Sequence, residues 1–73
     1  MVTEFIATDD KLIGECYSDY SLEIGTTVSF RDKLYIVKAC TCIFERPEEH
    51  LGDPQWKNTY RCEKKIYKCI EKR

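Results

Sequence analysis

The fold is decided by one stretch of the chain, Gly25-Thr-Thr-Val28-Ser-Phe30-Arg-Asp-Lys-Leu34-Tyr-Ile-Val37, which continues as Lys-Ala-Cys-Thr-Cys-Ile-Phe44. Val28 and Phe30 alternate with polar neighbours, a pattern typical of a half-buried strand. The charged residues 31–33 suit a tight hairpin turn. Residues 34–44 are apolar on both faces, which predicts either a central strand or a long bent strand whose halves cover different sides.

Weaker strand patterns lie on both sides of this hairpin. Residues 2–8 and 12–17 predict two strands around a turn at 9–11. Residues 56–63 and 65–71 predict two more, with a short C-terminal helix over 63–71 as the alternative. Residues 46–54 predict a single helical turn in a long loop, because Pro47 is followed by acids and Gly52 suits a C-terminal cap. The whole chain, residues 1–73, is therefore predicted to be one mostly β domain: a small antiparallel β-barrel or strongly curved sheet of five to six short strands.

The hairpin pattern, Gly25-x-x-Val28-x-Phe30 before a charged turn and Tyr35-x-Val37 after it, resembles the first hairpin of SH3-like small barrels. The resemblance covers roughly residues 24–44. Small proteins of this kind are common among accessory genes of bacteriophages and mobile elements. The resemblance implies an SH3-like fold and a binding role, since such barrels bind nucleic acid, peptides or enzymes, and it brings no catalytic residues with it.

Composition restricts the class of protein. Hydrophobic residues make up 42% and charged residues 34% of the chain, which is a globular composition. The apolar runs are far shorter than the roughly 20 residues of a membrane helix, and the N-terminus has neither a basic start nor an apolar secretion core. We therefore expect a cytoplasmic protein without a membrane partner. Its five cysteines are then expected to be reduced thiols that fill the core, with metal binding and a disulfide as alternatives.

Charge is distributed unevenly along the chain. Residues 1–27 carry six acids and one base, a net of −5, whereas residues 57–73 carry seven bases and two acids, a net of +5. The favoured interpretation is that acidic and basic strands lie side by side and neutralise each other. The alternative is a dipolar surface with one acidic and one basic face for partners.

The sequence predicts no enzyme, no catalytic residue and no cofactor. Its single histidine, His50, lies in an acidic loop with no serine- or cysteine-centred motif beside it, and the three glycines form no phosphate-binding loop. A zinc-stapled binding domain is one alternative, with Cys40, Cys42, Cys62 and Cys69 as the available thiols. Their spacing departs from the C-x₂₋₄-C pairs of structural zinc sites, so no metal ligand is assigned.

The function expected on this basis is that of a non-enzymatic protein-binding module, a phage-type modulator or inhibitor of a host protein. The partner-binding residues are expected in the long acidic loop: Glu45, Glu48, Glu49 and Asp53, with Trp56 either an interface anchor or a plug at one end of the barrel. Tyr17 and Tyr20 either extend this patch or belong to the core. The remaining alternative is a nucleic-acid-binding barrel, whose basic and aromatic residues would be Tyr60, Arg61, Lys64, Lys65, Tyr67 and Lys68. A monomer and a homodimer both stay open.

Overall fold

A computed structural model describes residues 1–45 and 59–73, and in those residues the chain forms five strands and no helix. The strands are β1 (Val2–Ile6), β2 (Leu12–Cys16), β3 (Thr27–Phe30), β4 (Lys33–Glu45) and β5 (Arg61–Glu71). They form a single sheet in the order β2-β1-β5-β4-β3. This sheet curves strongly into a half-barrel, so the predicted curved β fold is confirmed.

The β3–β4 hairpin forms where the sequence predicts it, with Val28 opposite Tyr35 and Phe30 opposite Lys33. The two turn residues, Arg31 and Asp32, both have positive φ angles, of 50° and 66°. Two consecutive residues in this conformation are typical of a type I′ turn, whose twist matches that of the flanking strands. The turn therefore forms without a glycine.

The β1–β2 hairpin also follows the prediction, and its turn contains Asp10 with φ 66°. Gly14 on β2 lies beneath the ring of Phe30 on β3: a Cβ atom at Gly14 would be only 2.5 Å from Phe30 Cε1. Glycine is thus what lets this ring approach the β2 backbone. Because β2 and β3 are the two outer strands of the sheet, the contact holds its curvature.

The C-terminal region differs from the prediction of two strands or a helix. Residues 61–71 form one continuous strand, β5, and it pairs with β1 in parallel, with Val2 opposite Lys64 and Ile6 opposite Lys68. The predicted break at Lys64 and Lys65 is absent because each ammonium group meets an acid there, Glu4 and Asp19 respectively. The sheet is therefore mixed rather than purely antiparallel.

Strand β4 is long and irregular, as its apolar residues on both faces predict. Its pairing with β5 shifts register between Val37 and Ala39 and again between Ile43 and Phe44. Bulges of this kind bend a strand and change which residues face the core. Strand β3 pairs only with residues 33–36 of β4, so the second half of β4 continues beyond it.

The hydrophobic core of the described residues is small: Phe5, Val37, Tyr67 and Cys69 are buried. The Phe5 ring packs on Phe30 and Tyr67, with ring centroids 5.0 and 5.5 Å apart. Thr3 is buried beside them, and its hydroxyl donates a 2.6 Å hydrogen bond to the carbonyl of Ser18. A core of so few side chains makes each of them important for stability.

Candidate protein-binding surfaces

The connecting segment, residues 17–24 between β2 and β3, is held on the core by Tyr67. The buried Tyr67 hydroxyl donates to the carbonyl of Tyr20 at 2.7 Å and accepts from the N–H of Leu22 at 3.0 Å. The Leu22 side chain packs against the core cluster. An irregular segment is thereby fixed at its middle by a residue of β5.

Lys65, two positions before Tyr67 on β5, also binds the connecting segment. Its ammonium group lies 2.7 Å from the carboxylate of Asp19 and also donates to the Tyr20 carbonyl and the Ser21 hydroxyl, at 3.4 and 3.3 Å. The hydrogen bond to Asp19 raises the pKa of Lys65, although desolvation opposes it. The ammonium group therefore stays charged throughout the neutral range, and the attachment with it.

The connecting segment presents apolar and aromatic side chains to solvent despite this attachment. The side chain of Tyr17 is 82% exposed and that of Tyr20 45%, and Ile24 is exposed beside them. The Tyr17 hydroxyl hydrogen-bonds to Glu15, which raises the pKa of Tyr17. The sequence left open whether these tyrosines extend the acidic-loop patch or belong to the core, and both are exposed.

The basic residues of β5 are matched by acids. Lys64 pairs with Glu4 at 3.4 Å, Lys68 with Asp10 at 3.5 Å and Arg61 with Glu63 at 2.6 Å, in addition to the Lys65–Asp19 pair. Three of these four acids come from the N-terminal third of the chain. The predicted neutralisation of acidic by basic segments is confirmed for these residues.

The residues predicted for nucleic-acid binding do not form one platform. Tyr67 is only 2% exposed, so its ring belongs to the core and is not available to stack on a base. Tyr60 is 55% exposed, just before β5. The four basic residues of this set lie on β5, and each forms one of the ion pairs above: Arg61, Lys64, Lys65 and Lys68.

The acidic loop predicted to bind a partner falls almost entirely outside the described residues. Glu45 is exposed at the end of β4. Glu48, Glu49, Asp53 and Trp56 lie outside the described residues, as do His50 and the predicted helical turn over 46–54. Their assignment stays a prediction.

The cysteines are all free thiols. Cys62 and Cys69 are seven positions apart on β5, which separates them by roughly 23 Å on a strand, and Cys62 lies opposite Phe44 whereas Cys69 lies opposite Val37. The four thiols considered for zinc therefore cannot converge on one ion with bonds of about 2.3 Å. Residues 1–45 and 59–73 contain no group of three or more potential metal ligands.

The thiols should differ sharply in reactivity. Cys40 and Cys42 are exposed, whereas Cys69 is buried and burial raises the pKa of its thiol. Because the thiolate is the reactive form, we expect maleimide to label Cys40 and Cys42 rapidly at pH 7.5 and Cys69 only after denaturant is added. Peptide mass spectrometry of a labelling time course measures this, and rapid labelling of Cys69 in the native protein would contradict its place in the core.

The second half of β4 forms a free strand edge within the described residues. Residues 39–45 pair with β5 on one side only, and every residue from Lys38 to Glu45 is exposed. Ile43 and Phe44 are the large apolar side chains among them, Phe44 with 57% of its surface exposed. An unpaired edge of this kind is a template for another strand.

No protein-family model, curated protein or solved structure matches this chain. The part of the chain that the structure describes contains no helix long and apolar enough to cross a membrane. Two surfaces of the described residues are candidates for binding a partner: the connecting segment and the free edge of β4.

Proposed function

We propose that this chain is a non-enzymatic protein-binding module that presents Tyr17 and Tyr20 to a basic surface of another protein. The observation that carries the proposal is the exposure of these two rings on a segment whose backbone is fixed by Tyr67 and Lys65. Tyrosine supplies a large amphipathic contact area at a low cost in conformational entropy. A segment already fixed in the free protein loses little further entropy on binding.

Charge supports a basic partner. Glu15 and Glu23 lie on either side of the two tyrosines and form no ion pair with another described residue. Carboxylates that are not neutralised within the chain attract a positively charged surface and speed its association. Glu45, Glu48, Glu49 and Asp53 would add to the same acidic character, with Trp56 as an anchor.

The role we propose is that of a modulator that acts by occupying its partner. The resemblance of the β3–β4 hairpin to SH3-like barrels favours a phage-type factor that modulates or inhibits a host protein. The ion pairs along β5 and the burial of Tyr67 favour protein over nucleic acid as the partner.

The test is a binding measurement on variants of the full chain. The untagged partner is first captured from a cell extract and identified, and its dissociation constant is then measured with purified proteins. Tyr17→Ala combined with Tyr20→Ala should weaken binding about tenfold or more, equivalent to about 1.4 kcal/mol. The matched control is Tyr60→Ala, an equally large truncation of an exposed ring away from the connecting segment, which should change the affinity less than about twofold.

Two outcomes would sink the proposal. One is that the Tyr60 variant loses as much affinity as the Tyr17/Tyr20 variant. The other is that the ligand proves to be nucleic acid, bound with a steep dependence on salt that Lys64→Glu and Lys68→Glu abolish. Trp56→Ala and charge reversal at Glu48 and Glu49 test separately whether the predicted loop takes part, because unchanged affinity would remove it from the binding surface.

A further inference from the structure

The free edge of β4 has backbone groups directed away from the sheet. The N–H of Val37 donates to the carbonyl of Thr26, and the carbonyl of Val37 accepts from the N–H of Gly25. Both backbone polar groups of Val37 therefore point towards β3 and away from β5. Val37 is opposite Cys69. Tyr67 and Lys65, which lie two and four positions before Cys69 on β5, are opposite Cys40 and Cys42. In an antiparallel pair only every second residue pair exchanges hydrogen bonds, so the pairs at Tyr67 and Lys65 resemble the pair at Cys69. The N–H and C=O groups of Cys40 and Cys42 therefore point away from β5, towards the free edge.

The charges at the two ends of this edge are complementary when a second copy of the edge runs antiparallel to the first. A positive residue, Lys38, stands at one end and a negative residue, Glu45, at the other, and both are exposed. Antiparallel pairing about residue 42 places Glu45 of each copy opposite Ala39 of the other, next to Lys38, whereas parallel pairing would bring like charges together. Residues 39–44 are uncharged, so no like charges face each other within the paired edge.

We propose that β4 pairs with β4 of a second copy of this chain, antiparallel and about a two-fold axis at Cys42. Residue 42 is the midpoint of the free edge, residues 39–45, so this register pairs the whole edge. Thr41 then lies opposite Ile43 of the other copy, and Cys40 opposite its Phe44. The two large apolar side chains of the free edge, Ile43 and Phe44, then each lie beside a side chain of the other copy, and the unpaired edge is removed.

The dimer leaves the proposed partner-binding surface free and duplicates it. A two-fold axis perpendicular to the sheet keeps each face of the sheet on the same side in both copies. The two connecting segments are therefore presented on one common face, and a partner with two basic sites would bind bivalently. The dimer itself does not depend on the proposed function, since it uses a different edge of the molecule.

The register makes a sharp prediction about disulfide trapping. At the axis, Cys42 faces Cys42 of the other copy as a hydrogen-bonded pair with a Cα–Cα distance of about 5.5 Å, within the span of about 4.4–6.8 Å that a disulfide accepts. The two Cys40 residues are offset by four positions along the strands, about 14 Å. Cys42 should cross-link and Cys40 should not, although both are exposed thiols on the same strand.

The experiment uses the full chain and two matched variants under a mild oxidant. Cys40→Ser retains Cys42 and should form a disulfide-linked dimer about tenfold faster, or more, than Cys42→Ser, which retains Cys40. Peptide mapping identifies the linked residues. Light scattering of the reduced protein should show a dimer, and Cys42→Pro should convert it to a monomer, because proline removes the edge N–H and leaves the bonds to β5 in place. Slow labelling of Cys69 confirms that the proline variant is folded.

Three results would overturn the dimer. The first is a reduced protein that stays monomeric at every concentration. If the amides of Cys40 and Cys42 are nevertheless protected from hydrogen exchange in that monomer, the chain itself covers the edge. The second is equal cross-linking of the two serine variants. The third is a Cys42→Pro variant that stays folded and dimeric, which would place the interface elsewhere.

Discussion

Replacing Phe5 by alanine is expected to lower the free energy of unfolding by about 3–5 kcal/mol, the usual range for removing a buried aromatic ring. Phe5 lies between Phe30 and Tyr67 and so joins β1 to both β3 and β5. At roughly 0.05–0.15 kcal/mol per residue, the whole chain of 73 residues has only about 4–11 kcal/mol of stability. The variant should therefore be largely unfolded or close to it, as measured by urea denaturation followed by circular dichroism.

The matched control for Phe5→Ala is Tyr17→Ala. The exposed ring of Tyr17 contributes little burial, so its removal should change the free energy of unfolding by less than about 0.5 kcal/mol. The same denaturation curve, recorded on the Tyr17→Ala/Tyr20→Ala variant, shows whether the protein used in the binding test is folded. Equal destabilisation by the two substitutions would mean that Phe5 is not at the centre of the core.

Replacing Tyr67 by phenylalanine should loosen the connecting segment while leaving the aromatic core in place. The change removes only the hydroxyl, and with it the hydrogen bonds to the Tyr20 carbonyl and the Leu22 N–H. The Leu22 N–H is then left without a partner and the Tyr20 carbonyl keeps only the Lys65 ammonium group at 3.4 Å, a loss that costs about 1–3 kcal/mol. We expect this loss in urea denaturation, together with faster hydrogen exchange of the Leu22 amide and weaker partner binding.

Tyr35→Phe is the control for the Tyr67 hydroxyl. Tyr35 packs edge-on against Phe30, and its hydroxyl makes no hydrogen bond with the rest of the described chain. Its loss should change stability by less than about 0.5 kcal/mol and leave the Leu22 amide protected. If Tyr67→Phe leaves both stability and Leu22 exchange unchanged, the connecting segment is not held in the way described.

The hairpins could be predicted because their signals are local. The alternation around Val28 and Phe30 and the charged turn after them fix the β3–β4 hairpin within a dozen residues. The long bent form of β4 also followed from sequence, because a strand that is apolar on both faces must bend or lie centrally. These elements need no knowledge of distant residues.

The continuity of β5 could not be predicted because it depends on distant partners. Two adjacent lysines, Lys64 and Lys65, are typical of a turn or strand end, and only the presence of Glu4 and Asp19 on opposite sides of the strand makes them compatible with its interior. The parallel pairing of β1 with β5 has the same origin, since it joins the two ends of the chain. The charge gradient was the one sequence signal of this contact.

The candidate site was found only in part. The sequence singled out Tyr17 and Tyr20 but left them between core and surface, because their surroundings do not alternate as a strand does. Their exposure follows from Tyr67, a residue about 45 positions away. The Tyr67 hydroxyl forms hydrogen bonds with the backbone of Tyr20 and Leu22 and so fixes the segment on the core. The same burial removes Tyr67 from the set of base-stacking residues, where composition alone had placed it.

Site-specific photo-crosslinking shows whether the connecting segment is the partner-binding surface. A photoreactive phenylalanine analogue is introduced at Tyr17, at Tyr20 or at the control position Tyr60, and each protein is irradiated with its partner present. We expect cross-links from positions 17 and 20 to a basic region of one protein, and none from position 60. Cross-links from position 60 alone, or to nucleic acid from any of the three, would contradict it.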